Sequence, residues 1–158
     1  IETRFFHDIW WGAAEPISVT ALPREEGHEV GTVRNVRFSN LLCRGENGVF
    51  LRGSEESRPH DIRFEDVRVE MHRTTDVRGG EYDLSPWDVK QVYEYPSAGF
   101  YCEKAAGVHL EDCAVEWGED PPAFYRHALE VRDAADLDVE DFTGQSAHPS
   151  RYAARKIG

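Results

Sequence analysis

The sequence predicts an all-β fold, a right-handed parallel β-helix, on three observations. Five short stretches repeat one pattern: Phe6-His7-Asp8-Ile9, Val36–Leu41, Ile62–Val67, Val108–Cys113 and Leu137–Phe142. Apolar and polar residues alternate in each, which is the period of a half-buried strand. An Asn or Asp stands at one fixed offset: Asp8, Asn40, Asp66, Asp112 and Asp141. These short side chains bond nearby backbone and tolerate left-handed dihedrals, so they mark a corner. Finally, apolar pairs precede most copies: Ile17/Val19, Val49/Leu51, Phe100/Cys102 and Leu129/Val131. A coil therefore has at least two strands, and recurrence of the unit indicates a solenoid.

The spacing suits stacked coils joined by loops of unequal length. Successive corner residues are separated by 32, 26, 46 and 29 positions. One coil cannot bury its apolar face alone, so coils stack strand on strand and share a core. The expected organisation is one domain, 1–158, of about five coils. Residues 72–98 form an inserted loop carrying Tyr82, Trp87, Tyr93 and Tyr95. Loops this long in compact folds are functional or disordered, and the aromatics argue for order. Residues 143–158 leave the pattern and are expected to be a cap or a frayed tail.

Composition narrows the function classes. Net charge is -12, unevenly spread: residues 31–80 hold eight acids and nine bases, residues 81–158 sixteen acids and seven bases. A field of that sign repels nucleic acid and anionic membranes, so neither is expected as a partner. Apolar runs are too short for a membrane-spanning helix, and no signal peptide is visible. Cys43, Cys102 and Cys113 are an odd set, and Cys102 and Cys113 fall at apolar positions of the repeat, so they read as buried thiols. No Cys/His spacing suggests zinc, and no acid cluster suggests calcium. No cofactor is expected.

The first copy has only five residues before it. A β-helix starting there would expose the edge of its first strands. The expectation is a fragment of a longer helix, with missing N-terminal coils or a partner chain covering the open edge.

Several runs resemble the later coils of polygalacturonase-type glycoside hydrolases, family 28. They are Glu15–Val19, Gly31–Asn40, Glu46–Gly53, Ile62–Met71, Tyr82–Pro86, Gly99–Tyr101 and Ala114–Trp117. The resemblance implies a pectin-lyase-like helix and a polysaccharide or oligosaccharide partner containing uronate. It also implies inverting hydrolysis by an acid and a base on opposite sides of the bond. The family's catalytic motifs, Asn-Thr-Asp, Asp-Asp, Gly-His-Gly and Arg-x-Lys, do not occur here. In the family they lie on earlier coils. The chain alone is therefore expected to be inactive, with no catalytic residue of its own.

The candidate substrate-binding residues are Trp87, Tyr82, Asp83, Trp10 and Arg52. Trp87 is a sugar-stacking platform or one of the aromatics pinning the inserted loop to the wall. Glu81 and Asp83 sit beside it. Trp10 is aligned outward and Trp11 inward; Trp10 is a platform or the contact for a further coil. Arg52, with Arg44, Arg58, Arg63 and Arg73, either binds an anionic sugar, since Arg pairs carboxylates bidentately, or pairs with Glu46, Glu55, Glu56 and Glu65 on a solvated wall. His60, His72 and His127 are expected to be structural or exposed. The competing reading is a non-catalytic module for carbohydrate binding or structure; a lyase or epimerase is a third.

Overall fold

The computed structural model describes residues 1–5, 12–25, 27–85 and 91–158, and within them the chain is all-β and mostly parallel. The strands are β1 (Ser18–Thr20), β2 (Arg34–Gly45), β3 (Val49–Arg52), β4 (His60–Met71), β5 (Glu81–Asp83), β6 (Val92–Glu94), β7 (Phe100–Glu111), β8 (Ala114–Trp117), β9 (Leu129–Glu140) and β10 (Arg155–Ile157). All but β5 and β6 join one parallel network; β5 and β6 form an antiparallel hairpin inside the insertion.

Pairing runs along three ladders. In the first, Val19, Leu51, Cys102, Val131 and Ile157 lie in register on β1, β3, β7, β9 and β10. The second joins β2, β4, β7 and β9, with Val36, Ile62, Val108 and Leu137 in one row. Phe38, Phe64, Leu110 and Val139 form the next row of that ladder. The third sets Cys43, Val69 and Val115 side by side. At its end Glu2 bridges to Arg44. The apolar pairs seen in the sequence thus occupy equivalent rungs. The first copy, Phe6-His7-Asp8-Ile9, lies outside the described residues.

The corners follow the Asn/Asp signature. Asn40, Asp66, Asp112 and Asp141 all have positive φ, between 48 and 55°. A second corner, five residues earlier in each copy, was not anticipated. It is made by Asn35, Asp61, Gly107 and Asp136, again at positive φ. The left-handed region costs most residues about 1–2 kcal/mol, while Asn, Asp and Gly enter it routinely. Two such residues per copy let a long strand turn without leaving its ladder.

The ladders face one interior. Phe64 stacks on Phe38 at 5.2 Å and meets Phe100 edge-on at 5.6 Å, and Phe100 meets Phe142 at 5.7 Å. Phe64 comes from the second ladder and Phe100 from the first, so one core serves both. Cys43, Cys102 and Cys113 are buried in it and unbridged. Burial pushes the Cys102 thiol up to about 12 and Cys113 to about 11, which suits inert hydrophobes.

The insertion and the tail both return to the wall. Tyr82 of β5 stacks on Phe50 at 4.4 Å, and Tyr101 packs against both. This makes a second apolar layer outside the first ladder, completed by Leu84 and Ala98. Residues 143–158 do not simply fray. Thr143 bridges to Ala114, and β10 adds the last rung of the first ladder.

Candidate functional site

The connections between the third ladder and the first differ greatly in length. One is tight, Glu46-Asn47-Gly48 between β2 and β3; the others are 4–16, 72–99, 118–128 and 144–154. Long insertions gathered on one side of a repeat structure commonly make its binding face.

The tight connection is the anchor. Glu46 and Asn47 are fully buried. The Glu46 carboxylate accepts from the Phe5 N–H at 2.6 Å and from the N–H groups of Thr74 and Thr75, both at 2.5 Å. The two threonine hydroxyls donate to it as well. Burial alone would raise its pKa, but these donors hold it below the ordinary value. Asn47 Nδ2 donates to Ala13 O and Glu81 O, so one side chain ties both neighbouring loops. Gly48 has no room for a side chain: a Cβ would lie 2.0 Å from Ala98 O.

Asp83 forms the second tie. Its Oδ2 accepts from the Gly12 N–H at 2.6 Å, and its Oδ1 from the Ser85 N–H at 2.9 Å. The Asp83 N–H donates to Glu15 Oε1 at 2.7 Å, while the Ala13 N–H donates to Glu15 Oε2 at 2.6 Å. Two carboxylates thereby clasp two loops with four backbone donors. Burial pushes Glu15 up to about 7; the hydrogen bonds oppose this and the nearby Asp83 charge adds to it. Glu81, in the same strand as Asp83, is also raised, chiefly by burial.

The expected site residues separate into three groups. Asp83 sits at the clasp, where each oxygen is engaged by a backbone donor. Trp10 and Trp87 lie outside the described residues, as does Trp11. Trp11 directly precedes Gly12, and Trp87 lies two positions beyond Ser85 in the sequence. Asp83 accepts from Gly12 and from Ser85, the described residues on the near side of those positions in sequence. Tyr82 is fully buried. Its hydroxyl accepts from the Ala98 N–H at 2.9 Å, so it supports the wall from within.

Arg52 lies outside this cluster, in a charged and aromatic row on the first ladder's outer face. Its guanidinium sits 3.8 Å over the Tyr93 ring, and its Nε lies 3.1 Å from Glu103. Tyr93 stacks on Tyr95 at 5.3 Å, and Arg132 caps Tyr95 at 5.2 Å. Glu130, almost fully buried, accepts from the Tyr95 hydroxyl and from Lys156 Nζ, both at 2.7 Å. The loop aromatics on this face are already sandwiched by arginines.

Other charges find different partners from those expected. Glu46 receives backbone and hydroxyl donors rather than arginine. Arg37 pairs with Glu65, Arg44 with Glu70, Arg58 with Asp133 and Lys104 with Glu55. His60 contacts Asp61, and buried His127 donates from Nδ1 to Ala153 O. Among the described residues, no group of three or more His, Cys, Asp or Glu is placed to hold a metal ion. No helix among them is long and apolar enough to cross a membrane.

Searches against protein-family models, curated proteins and solved structures return no match for this chain.

Sequence reasoning missed Glu15 and Glu46. Both precede short turns, Glu15-Pro16 and Glu46-Asn47-Gly48, but their partners lie 68 and 28 residues away. No local pattern encodes such pairings.

Proposed function

We propose that this chain is a run of later coils from a right-handed parallel β-helix of the polygalacturonase-like kind. Its long-loop corner contributes an oligosaccharide subsite, and the catalytic carboxylates belong to coils on the β2 side. The repeat supports the helix reading. Parallel rungs carry like residues, and Asn or Asp recurs at every corner position but Gly107. The single observation that carries the sugar reading is the Asp83 clasp. It joins Gly12, which follows Trp10-Trp11 in the sequence, to Ser85, which lies two positions before Trp87. Sugar rings stack their C–H faces on such side chains, while polar groups at the rim set orientation.

The chain itself is read as non-catalytic. Glu15 and Asp83 adjoin one another, yet all four of their carboxylate oxygens already accept backbone N–H groups. That same observation favours a second reading, a binding module with no enzymatic parent.

The test is calorimetric titration of the chain with oligogalacturonates and neutral oligosaccharides. The reading predicts binding that Trp87→Ala weakens at least tenfold, and no hydrolysis of polygalacturonate. Hydrolysis abolished by Asp83→Asn would overturn the non-catalytic assignment. Absence of binding to any glycan would overturn the sugar reading and leave a structural module.

A further inference from the structure

A groove of about 250 Å³ opens at the end of β3 away from the Gly48 connection. β3 is four residues long, so roughly 13 Å separates the groove from that connection. Leu22 and Pro23 line it with apolar surface, Arg52 and Lys104 with cationic side chains, and Glu55 and Glu56 with exposed acids.

Its surroundings hold the groove in shape. Arg52 lies on the Tyr93 ring at 3.8 Å with its Nε 3.1 Å from Glu103, so the guanidinium is fixed. Even so, Arg52 Nε and Nη1 are buried and find no aligned acceptor among the described residues. The turn after β3 is pinned as well. The Ser54 N–H donates to Ser57 O at 2.9 Å, and the Ser57 hydroxyl donates to Gly31 O at 2.9 Å. Lys104 is the unexpected residue. It follows Glu103 as Asp133 follows Arg132, the partner of Glu103 in register, and both take positive φ, 52° for Lys104 and 46° for Asp133. Aspartate enters that region readily, but lysine has neither its short bonding side chain nor the freedom of glycine. Backbone strain of this kind gathers at ligand sites.

Lys104 already carries a carboxylate. Its Nζ bonds Glu55, whose side chain is 75% exposed. An ion pair that exposed holds weakly, so an incoming carboxylate displaces Glu55 at little cost. The charges also set the valence of the ligand. Arg52 has Glu103 beside it, which leaves Lys104 one positive charge to share once Glu55 swings out. Glu56 stays at the groove and repels a second negative group. We propose that the groove binds a small monocarboxylate with an apolar body: the carboxylate replaces Glu55 on Lys104, next to the Arg52 guanidinium, and the body lies against Leu22 and Pro23. Small-molecule sites combine apolar lining with a few placed polar groups in this way. The site is separate from the proposed sugar subsite, because neither Asp83 nor the residues it clasps line the groove.

Benzoate is the probe, followed through the amide chemical shifts of the 158-residue chain. Benzamide serves as its neutral counterpart and phthalate as its dianion. The expected result is saturable shifts at Gly53 and Lys104 with benzoate, and binding at least tenfold weaker for the other two. Glu55→Gln removes the resident carboxylate and should tighten benzoate at least threefold. Lys104→Gly removes the amine and suits a φ of 52°, so it should abolish binding without lowering the thermal midpoint. Equal affinity for benzoate and benzamide, or benzoate affinity unchanged in Lys104→Gly, would overturn the site; neither outcome touches the sugar reading. Shifts lost in Trp87→Ala and kept in Lys104→Gly would also overturn it, since the probe would then sit at the long-loop corner.

Discussion

Asp83 and Gly12 are joined by a 2.6 Å hydrogen bond across 71 positions of sequence. The same carboxylate accepts from Ser85, so one side chain fixes the mouths of two separate loops. Asp83→Ala leaves the Gly12 and Ser85 donors without their acceptor. Gly12 is exposed and recovers water, so the expected loss is about 3 kcal/mol, at the low end of the range for two charge-assisted bonds. Urea unfolding measures it. On the proposed sugar reading, glycan affinity should fall together with stability, because Gly12 and Ser85 lose their common acceptor.

Glu15 makes stability depend on pH in an unusual direction. Its pKa rises from 4.5 to about 7 on folding, mainly through burial. The folded state then holds a proton that the unfolded state releases. This contribution is fully present below about pH 4.5 and is lost as pH rises through 7, amounting to about 3 kcal/mol at most. Glu15→Gln removes that slope. It also sets an amide NH₂ against one of the two donors, Ala13 or Asp83, and costs about 1–2 kcal/mol at low pH. Chemical denaturation at pH 5, 6, 7 and 8 checks both statements; since Glu81 is raised in the same direction, a slope as steep in the variant as in the parent refutes the assignment to Glu15.

The corner residues give a paired comparison. Asp66 sits at φ 51°. Asp66→Val forces a β-branched residue into the left-handed region and should cost about 2 kcal/mol or more, whereas Asp66→Gly should be nearly neutral. Thermal unfolding of the two variants separates backbone conformation from lost charge.

Gly48 tests the tight connection. Its Cβ position falls 2.0 Å from Ala98 O and 2.4 Å from Gly99 O, both backbone atoms. Gly48→Ala must push β3 away from β7 and should cost about 1–3 kcal/mol, the usual scale of overpacking. Faster amide exchange in Val49–Arg52 than in β4 would locate the damage.

Much of the ladder architecture was legible because its signals are local. Val36, Phe38 and Asn40 announce a strand and its corner within a few residues. The copies at Ile62, Val108 and Leu137 repeat that signal, and those three positions share a row. The third ladder was less visible. Cys43, Val69 and Val115 follow the corners without an Asn or Asp of their own. Gly107 hid one member of the second corner set, because the other three members are Asn or Asp. The clasp was illegible for a different reason: Glu15 and Asp83 lie 68 positions apart and meet only once the ladders have formed. Tyr82 shows the converse. Its loop position made it a candidate substrate-binding residue, but the wall offers Phe50 and Tyr101, and the ring buries against them.

The most direct test of the account is a pair of engineered disulfides on the outer face of the second ladder. Arg63 on β4 and His109 on β7 are in-register neighbours. Side-by-side strands lie about 4.8 Å apart, within the Cα range a disulfide spans, whereas a diagonal two residues along is about 7–8 Å away. Arg63→Cys with His109→Cys should close fully under mild oxidation and leave the fold intact, while Arg63→Cys with Glu111→Cys should stay reduced. Closure of the second pair and not the first would contradict the register, and with it the stacked ladders on which the proposed corner depends.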